Sequence, residues 1–323
     1  MTLPPSDATD PTSADAFLEE ERPACVLVFN ANDPSGAGGL SGDAVTIASV
    51  GGHPLVVATG AYARDSARIF EHFALDEEAV AEQARAVLED IEVEVIKVGF
   101  AGTPENLSTI AEIAADYEGA PVVAYMPDLS WWSEDAIEAY HDAFRELLLP
   151  QTTVLVGNHS TLWRWLLPDW SQQRSPTARD IAKAASDVGV PYTLVTGIPL
   201  PEQFVENVLA SPQSVLGTAK FELFDAVFSG AGDTLSAALA ALLATGNDLG
   251  EATSEALHYL DRSLDAGFRP GMGNVLPDRM FWAQSDEDDD TGDDDTAEPT
   301  DGTPADPAEA LERFVLPPPD TQH

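Results

Sequence analysis

Short apolar runs alternate with longer amphipathic stretches through most of this chain, and that alternation limits the fold more than any single motif. Runs at 26–29, 55–59, 93–98, 122–126, 153–156 and 192–195 are short and rich in β-branched residues. Runs of this kind suit strands covered on both faces, as in a parallel sheet. Between them, stretches at 43–50, 77–90, 104–117, 134–149 and 177–188 carry apolar residues at helical spacing. Strand and helix in turn predict an α/β domain, with helices on both faces of one mainly parallel sheet. Residues 204–209 and 215–216 are expected to add an antiparallel edge, and helices at 233–244 and 249–266 to close the fold.

No linker interrupts this series between Cys25 and Trp282, so one domain over 23–284 is expected, between a flexible arm at 1–22 and a tail at 285–323. The chain has 56 acidic and 15 basic residues, a formal charge of −41. Residues 286–320 hold 14 of the acids and one base, so the remainder still carries −28. The Asp/Thr/Pro/Gly composition of the tail cannot bury a core and predicts disorder, and it lacks the ligand spacing of a calcium loop. Excess carboxylate in the body repels itself unless salt screens it, which predicts a halophilic setting. With no basic patch to release counterions, nucleic-acid binding is excluded. No run of eighteen apolar residues exists and the first residues are polar, so no membrane partner and a cytoplasmic location are expected. Cys25 stands alone and predicts a buried thiol, and the six histidines show no paired ligand spacing, so no direct protein metal ligand is assigned.

Two glycine-rich segments carry the chemistry. Phe228-Ser229-Gly230-Ala231-Gly232-Asp233 runs straight into an apolar helix. Glycines admit an anion close to the backbone, and a helix N-terminus offers unpaired N–H groups and partial positive charge. Asp233 would repel a phosphate there unless it had a task. Two readings stay open: a base that takes the proton of an attacking hydroxyl, or a helix cap. The second segment, Asn30 to Leu40, leaves the first strand run at its carboxyl end, where open α/β sheets bind ligands. It has neither the Walker lysine nor the dinucleotide spacing.

Taken together, Asp33-Pro34-Ser35-Gly36, Gly230-Ala231-Gly232-Asp233, the strand order between them and the closing Gly271-Met272-Gly273-Asn274-Val275 resemble the ribokinase superfamily. The nearest branch is that of the hydroxymethylpyrimidine/phosphomethylpyrimidine kinases of thiamin biosynthesis. The resemblance implies a ribokinase-like three-layer αβα sandwich and ATP-dependent phosphorylation of a hydroxymethyl group on a small heterocyclic alcohol, with Mg2+ carried by the nucleotide. It implies Asp233 as base, Gly230, Ala231 and Gly232 as anion hole, and Ala31, Asp33, Tyr62, Arg64, Phe100 and Pro127 around the acceptor. Asn158, Thr161, Thr196 and Gly197 fall on its nucleotide and magnesium side.

Several positions depart from that branch. Its Ala-Gln-Asn-Thr stretch corresponds to Ala63-Arg64-Asp65-Ser66. Arginine only donates, so Arg64 suits a phosphate or carboxylate, unless it is simply paired with Asp65 or Asp33. The Asn-x-x-Glu motif survives as Asn158-His159-Ser160-Thr161 without its acid, Lys-Gly-Gly becomes Thr196-Gly197-Ile198 without its cation, and Asp-Pro-Val-Met becomes Tyr125-Met126-Pro127-Asp128. The branch often has cysteine where this chain has Asp233. These losses keep two other expectations in view: a non-catalytic relative that binds a small molecule, or a kinase for a vitamin B6-like or sugar alcohol. Trp131, Trp132, Trp163, Trp165 and Trp170 are candidates for ring stacking, core filling or a subunit contact, so a homodimer stays among the expectations. His159, inside the matched motif, is expected at the surface, with a place near the phosphate as the alternative.

Overall fold

Val26, Leu27, Val28 and Phe29 are fully buried on both faces of the first strand, which places that strand deep inside a covered sheet. A computed structural model describes residues 22–283 of the protein. The expectations for the arm and for the acidic tail lie outside the described residues. The strands are β1 (Cys25–Asn32), β2 (His53–Arg64), β3 (Ile69–Ala74), β4 (Val95–Val98), β5 (Val122–Met126), β6 (Val154–Asn158), β7 (Tyr192–Leu200), β8 (Phe204–Ala210) and β9 (Val215–Glu222). They form one sheet in the order β3-β2-β1-β4-β5-β6-β7-β8-β9. The six strands from β2 to β7 pair in parallel, and β3, β8 and β9 join antiparallel at the two edges.

Helices cover both faces. On one lie α2 (Glu77–Leu88), α3 (Pro104–Asp116), α4 (Glu134–Ala143), α5 (His159–Leu166) and α6 (Ala178–Ser186), packing residues such as Val80, Ile110, Tyr140, Leu162 and Ile181 against Leu27, Phe29 and Val98. On the other lie α1 (Gly39–Ser49), α7 (Ala231–Ala244) and α8 (Leu249–Asp265), with Ile47, Leu239 and Leu257 over Val26, Val28 and Val123. The apolar positions of α7 run all round it, and Thr234 to Leu242 are buried throughout, so it is a core helix rather than a surface one. Truncating Leu239 to alanine there would cost about 2–5 kcal/mol.

The alternating series agrees with this architecture; its details differ in physically intelligible places. Strand β2 extends past Thr59 to Arg64, and an unexpected β3 pairs with it, because the small Gly60, Ala61 and Ala63 hide the period-two pattern. Helix α1 starts at Gly39 rather than near residue 43, with no side-chain cap and with tertiary contacts in place of propensity. The stretch 134–149 is α-helical only to Ala143 and continues as a π turn over Phe144–Leu148. Strand β9 reaches Glu222, and β4 begins at Val95. Residues 159–166, for which no element was expected, form α5, capped by the Asn158 side chain on the Ser160 N–H.

Chain order reverses between β1 and β4: the chain crosses from β1 outward to β2, then returns to lay β4 on the other side of β1. That switch point opens a crevice at the carboxyl ends of the strands, the place where sheets of this type bind ligands. The N-terminus of α7 is brought to the same edge by its packing against β1, β4, β5 and β6.

Candidate active site

The two glycine-rich segments meet at this crevice. Gly230 takes a left-handed conformation (φ +88°), and a Cβ there would overlap the Ala37 carbonyl, so only glycine permits the contact. Arg279, buried to 6 % exposure, locks the junction. Its guanidinium donates to the carbonyls of Gly36 (3.1 Å) and Ala37 (2.5 Å) and to the Thr234 hydroxyl on α7 (3.1 Å). The closing segment braces the same loop, since Ser229 N–H donates to Val275 O and the Asn274 amide to Ser229 Oγ at 2.9 Å.

Asp233 lies in the first turn of α7, with 19 % of its side chain exposed. It accepts from the Gly39 N–H (2.9 Å), the Asn30 amide (3.0 Å) and Lys97 Nζ (3.2 Å). The carboxylate faces the neighbouring segment and caps no N–H of its own helix. Burial alone would raise its pKa, but the Lys97 charge, the Gly39 N–H and the Asn30 and Lys97 hydrogen bonds outweigh that and hold it below the usual carboxylate range. A cleft of about 370 Å³ opens before it, lined by Gly39, Tyr62, Arg64, Pro127, Trp131, Gly230 and others.

Behind Asp233 stands a second carboxylate. Asp43 on α1 is fully buried and takes two hydrogen bonds from Lys97 Nζ (2.7 and 2.8 Å) and one from the Asn30 amide (2.8 Å). Burial, with the negative charge of Asp233 adding to it, pushes its pKa up to about 6 against the pull of Lys97. Burial works against the Lys97 ammonium, yet the two aspartates keep its pKa above the ordinary value. Asn30 spends its whole hydrogen-bonding capacity here, since its Oδ1 accepts from the N–H groups of Ala31 (2.9 Å) and Phe100 (3.0 Å).

The expected acceptor residues separate into two layers. Tyr62, Arg64 and Pro127 line the cleft, whereas Ala31, Asp33 and Phe100 stand behind it. Asp33 is used within its loop, accepting from Ser35 N–H, Ser35 Oγ and Gly38 N–H, and it receives Arg64 Nη1 at 3.0 Å. Arg64 is therefore both a lining residue and half of a buried ion pair. Phe100 anchors a ring cluster with Tyr62, His72, Trp131, Trp132 and Tyr140, and of the five tryptophans considered only Trp131 reaches the cleft. Trp165 fills the core.

On the expected nucleotide side, Asn158 and Thr196 are neighbours in the β6–β7 register. Asn158 Oδ1 is occupied by the Ser160 N–H and hydroxyl. Thr161 lies in the first turns of α5, and Gly197 (φ +67°) donates to Asn207 Oδ1, while Asn207 Nδ2 is buried with no hydrogen-bond partner among the described residues. His159 is buried and bonded to the Pro176 carbonyl, contrary to the surface position expected for it. Among the described residues no three metal-ligating side chains converge. Asn30, Asp43, Lys97 and Arg279 were not singled out from sequence. Lys97 had a signal, a lysine inside the apolar run Val95–Val98, where a buried charge needs a partner.

A carboxylate beside glycine-lined backbone at a helix N-terminus, facing a small cleft at the switch point of an αβα sandwich, suits a phosphotransferase with an alcohol acceptor. Comparison with known proteins agrees. The phosphomethylpyrimidine kinase profile matches residues 33–278, and the chain belongs to that family. The hydroxymethylpyrimidine/phosphomethylpyrimidine kinase of Streptomyces coelicolor is 28 % identical over 266 residues, 81 % of this chain and 96 % of the relative. Among solved structures, an ADP complex of Bacillus subtilis pyridoxal kinase superposes with a TM-score of 0.74 at 21 % identity, covering 82 % of this chain and all of the other. Phosphomethylpyrimidine kinase from Clostridium difficile gives 0.60 at 21 % identity, with 73 % and 97 % covered. At such identities these two structures establish the ribokinase-like fold.

Proposed function

We propose that this protein transfers the γ-phosphoryl group of ATP to the hydroxymethyl group of a small heterocyclic alcohol, a hydroxymethylpyrimidine in the first instance. The observation that carries the reading is the placement of Asp233, ionised and opening into the cleft beside Gly230. The acceptor ring would lie against Tyr62, Pro127 and Trp131 with its hydroxyl toward Asp233, which accepts the proton as the oxygen–phosphorus bond forms. The backbone of Gly230, Ala231 and Gly232 would face the charge that gathers on the transferred group. ATP would sit along the ends of β6 and β7, beside Asn158, Thr196 and Gly197. Magnesium would come with the nucleotide. The Thr161 and Thr196 positions leave that side short of one acid and one cation, and this favours a second reading as a small-molecule-binding relative with impaired catalysis.

Incubation with ATP, magnesium and a panel of hydroxymethylpyrimidine, phosphomethylpyrimidine, pyridoxal and sugar alcohols decides between them. Mass detection of a phosphorylated hydroxymethylpyrimidine supports the first reading. Phosphorylation of pyridoxal alone moves the acceptor class, and binding without any product supports the second. A cytoplasmic, salt-rich setting, a 23–284 domain and a homodimer complete the proposal.

A further inference from the structure

Asn30 and Lys97 are shared donors: each bonds Asp43 and Asp233 at once, at 2.8 and 3.0 Å for the asparagine and 2.7 and 3.2 Å for the lysine. A structural ion pair between Lys97 and Asp43 would be complete without Asp233, and a base at Asp233 would be held in place without Asp43. The two are joined twice. The geometry points to Asp43 as the proton store for Asp233, reached through the Lys97 ammonium. This inference rests on the phosphotransfer reading above.

In the step, Asp233 takes the hydroxyl proton while the acceptor oxygen bonds phosphorus and ADP leaves. Lys97 then gives one N–H proton to Asp43 and takes the new proton from Asp233. Lys97 ends as an ammonium, Asp233 as a carboxylate and Asp43 as a neutral acid. After product leaves, the reverse path returns the proton through Asp233 to the open cleft. Thermodynamics favours the store: Lys97, the Gly39 N–H and Asn30 make Asp233 a poor holder of a proton, while burial makes Asp43 a better one, with a pKa near 6. The groups that act on Asp43 are Lys97 from β4, Asn30 from β1 and Asp233 from α7, with Tyr125 on β5 and Arg279 interacting by charge at longer range.

The test uses the full chain with ATP and a hydroxymethylpyrimidine. In the parent, kcat should fall as pH drops below about 6, because the store is then already full. Asp43→Asn should lower kcat about tenfold, leave both KM values within about twofold, and remove that acid limb. Infrared difference spectra between pH 8 and pH 5 give a readout independent of turnover and, for the parent, of any variant's folding. A protonated buried carboxyl band should appear in the parent, persist in Asp233→Asn and vanish in Asp43→Asn. An active parent with no such band, or an Asp43→Asn enzyme with parental kcat and pH profile, overturns the store while leaving the phosphotransfer reading intact. A parent that phosphorylates nothing in the panel overturns that reading and the store with it.

Discussion

At the scale of single residues, two carboxylate contacts decide the behaviour of the site. Asp233→Asn keeps the hydrogen-bonding shape and removes the proposed base, so kcat should fall by about a hundredfold or more while nucleotide binding holds. Product formation at the parental rate, followed by mass detection, would remove Asp233 from the chemistry. Arg64 presents a different case, because its guanidinium is tied to the buried Asp33 that organises the Asp33–Gly38 turn. Removing one partner of a buried pair leaves an uncompensated charge, at a cost of about 3–5 kcal/mol. Arg64→Gln should therefore lose thermal stability and, where it binds acceptors, lose its preference for anionic over neutral ones. Adding Asp33→Asn should recover part of the stability and none of the preference. Calorimetry on the single and double variants separates the two effects, and a stable single variant with unchanged selectivity would make Arg64 a bystander.

At the scale of elements, the site depends on close backbone approach, and two half-buried histidine rings tie the stability of the fold to pH. Gly230→Ala would force a left-handed Cβ into the Ala37 carbonyl, parting the two glycine segments. Its expected signature is a large loss of kcat together with a lower melting midpoint; a crystal structure with the Arg279 contacts unchanged would contradict this. On the β2–β3 hairpin, burial lowers His72 to about 4, and burial with the Arg145 charge does the same to His141 on α4. A histidine whose folded pKa is depressed gives stability that is present above about 6.5 and lost as pH falls toward 4. Asp43, raised to about 6, acts in the opposite sense between about 4 and 6. His72→Phe should flatten the acid-side loss of the melting midpoint, and an unchanged slope would show that the ring is not titrating. The strand–helix series was legible because β-branched runs and helical spacing report burial directly. Gly230–Asp233 was legible because glycine and acid at a helix start are chemically odd. Asn30, Asp43 and Arg279 were not, because one asparagine, one aspartate and one arginine acquire meaning only when β1, α1 and the chain after α8 converge.

At the scale of the whole molecule, charge is the governing quantity. The chain outside residues 286–320 carries −28, and α2 alone exposes Glu77, Glu78 and Glu82 with Arg85 as its one base. Surface pairs such as Arg85–Glu82 contribute about 0–1 kcal/mol and cannot offset such an excess. The screening length grows from about 3 Å at 1 M salt to about 30 Å at 0.01 M, so at low salt each carboxylate senses many others across a surface of this size. The folded state concentrates that charge and the unfolded chain disperses it. Stability should consequently fall steadily as salt is withdrawn, and the buried Lys97–Asp43–Asp233 group, shielded from solvent ions, should respond less than the surface. Deleting residues 285–323 removes 14 acids and one base but leaves the −28, so the dependence of the midpoint on salt should persist in the shortened chain. Thermal unfolding of both forms across sodium chloride concentrations measures this. A midpoint independent of salt in the full chain would refute adaptation to a salt-rich setting, and a dependence abolished by the deletion would place its origin in the tail rather than in the domain.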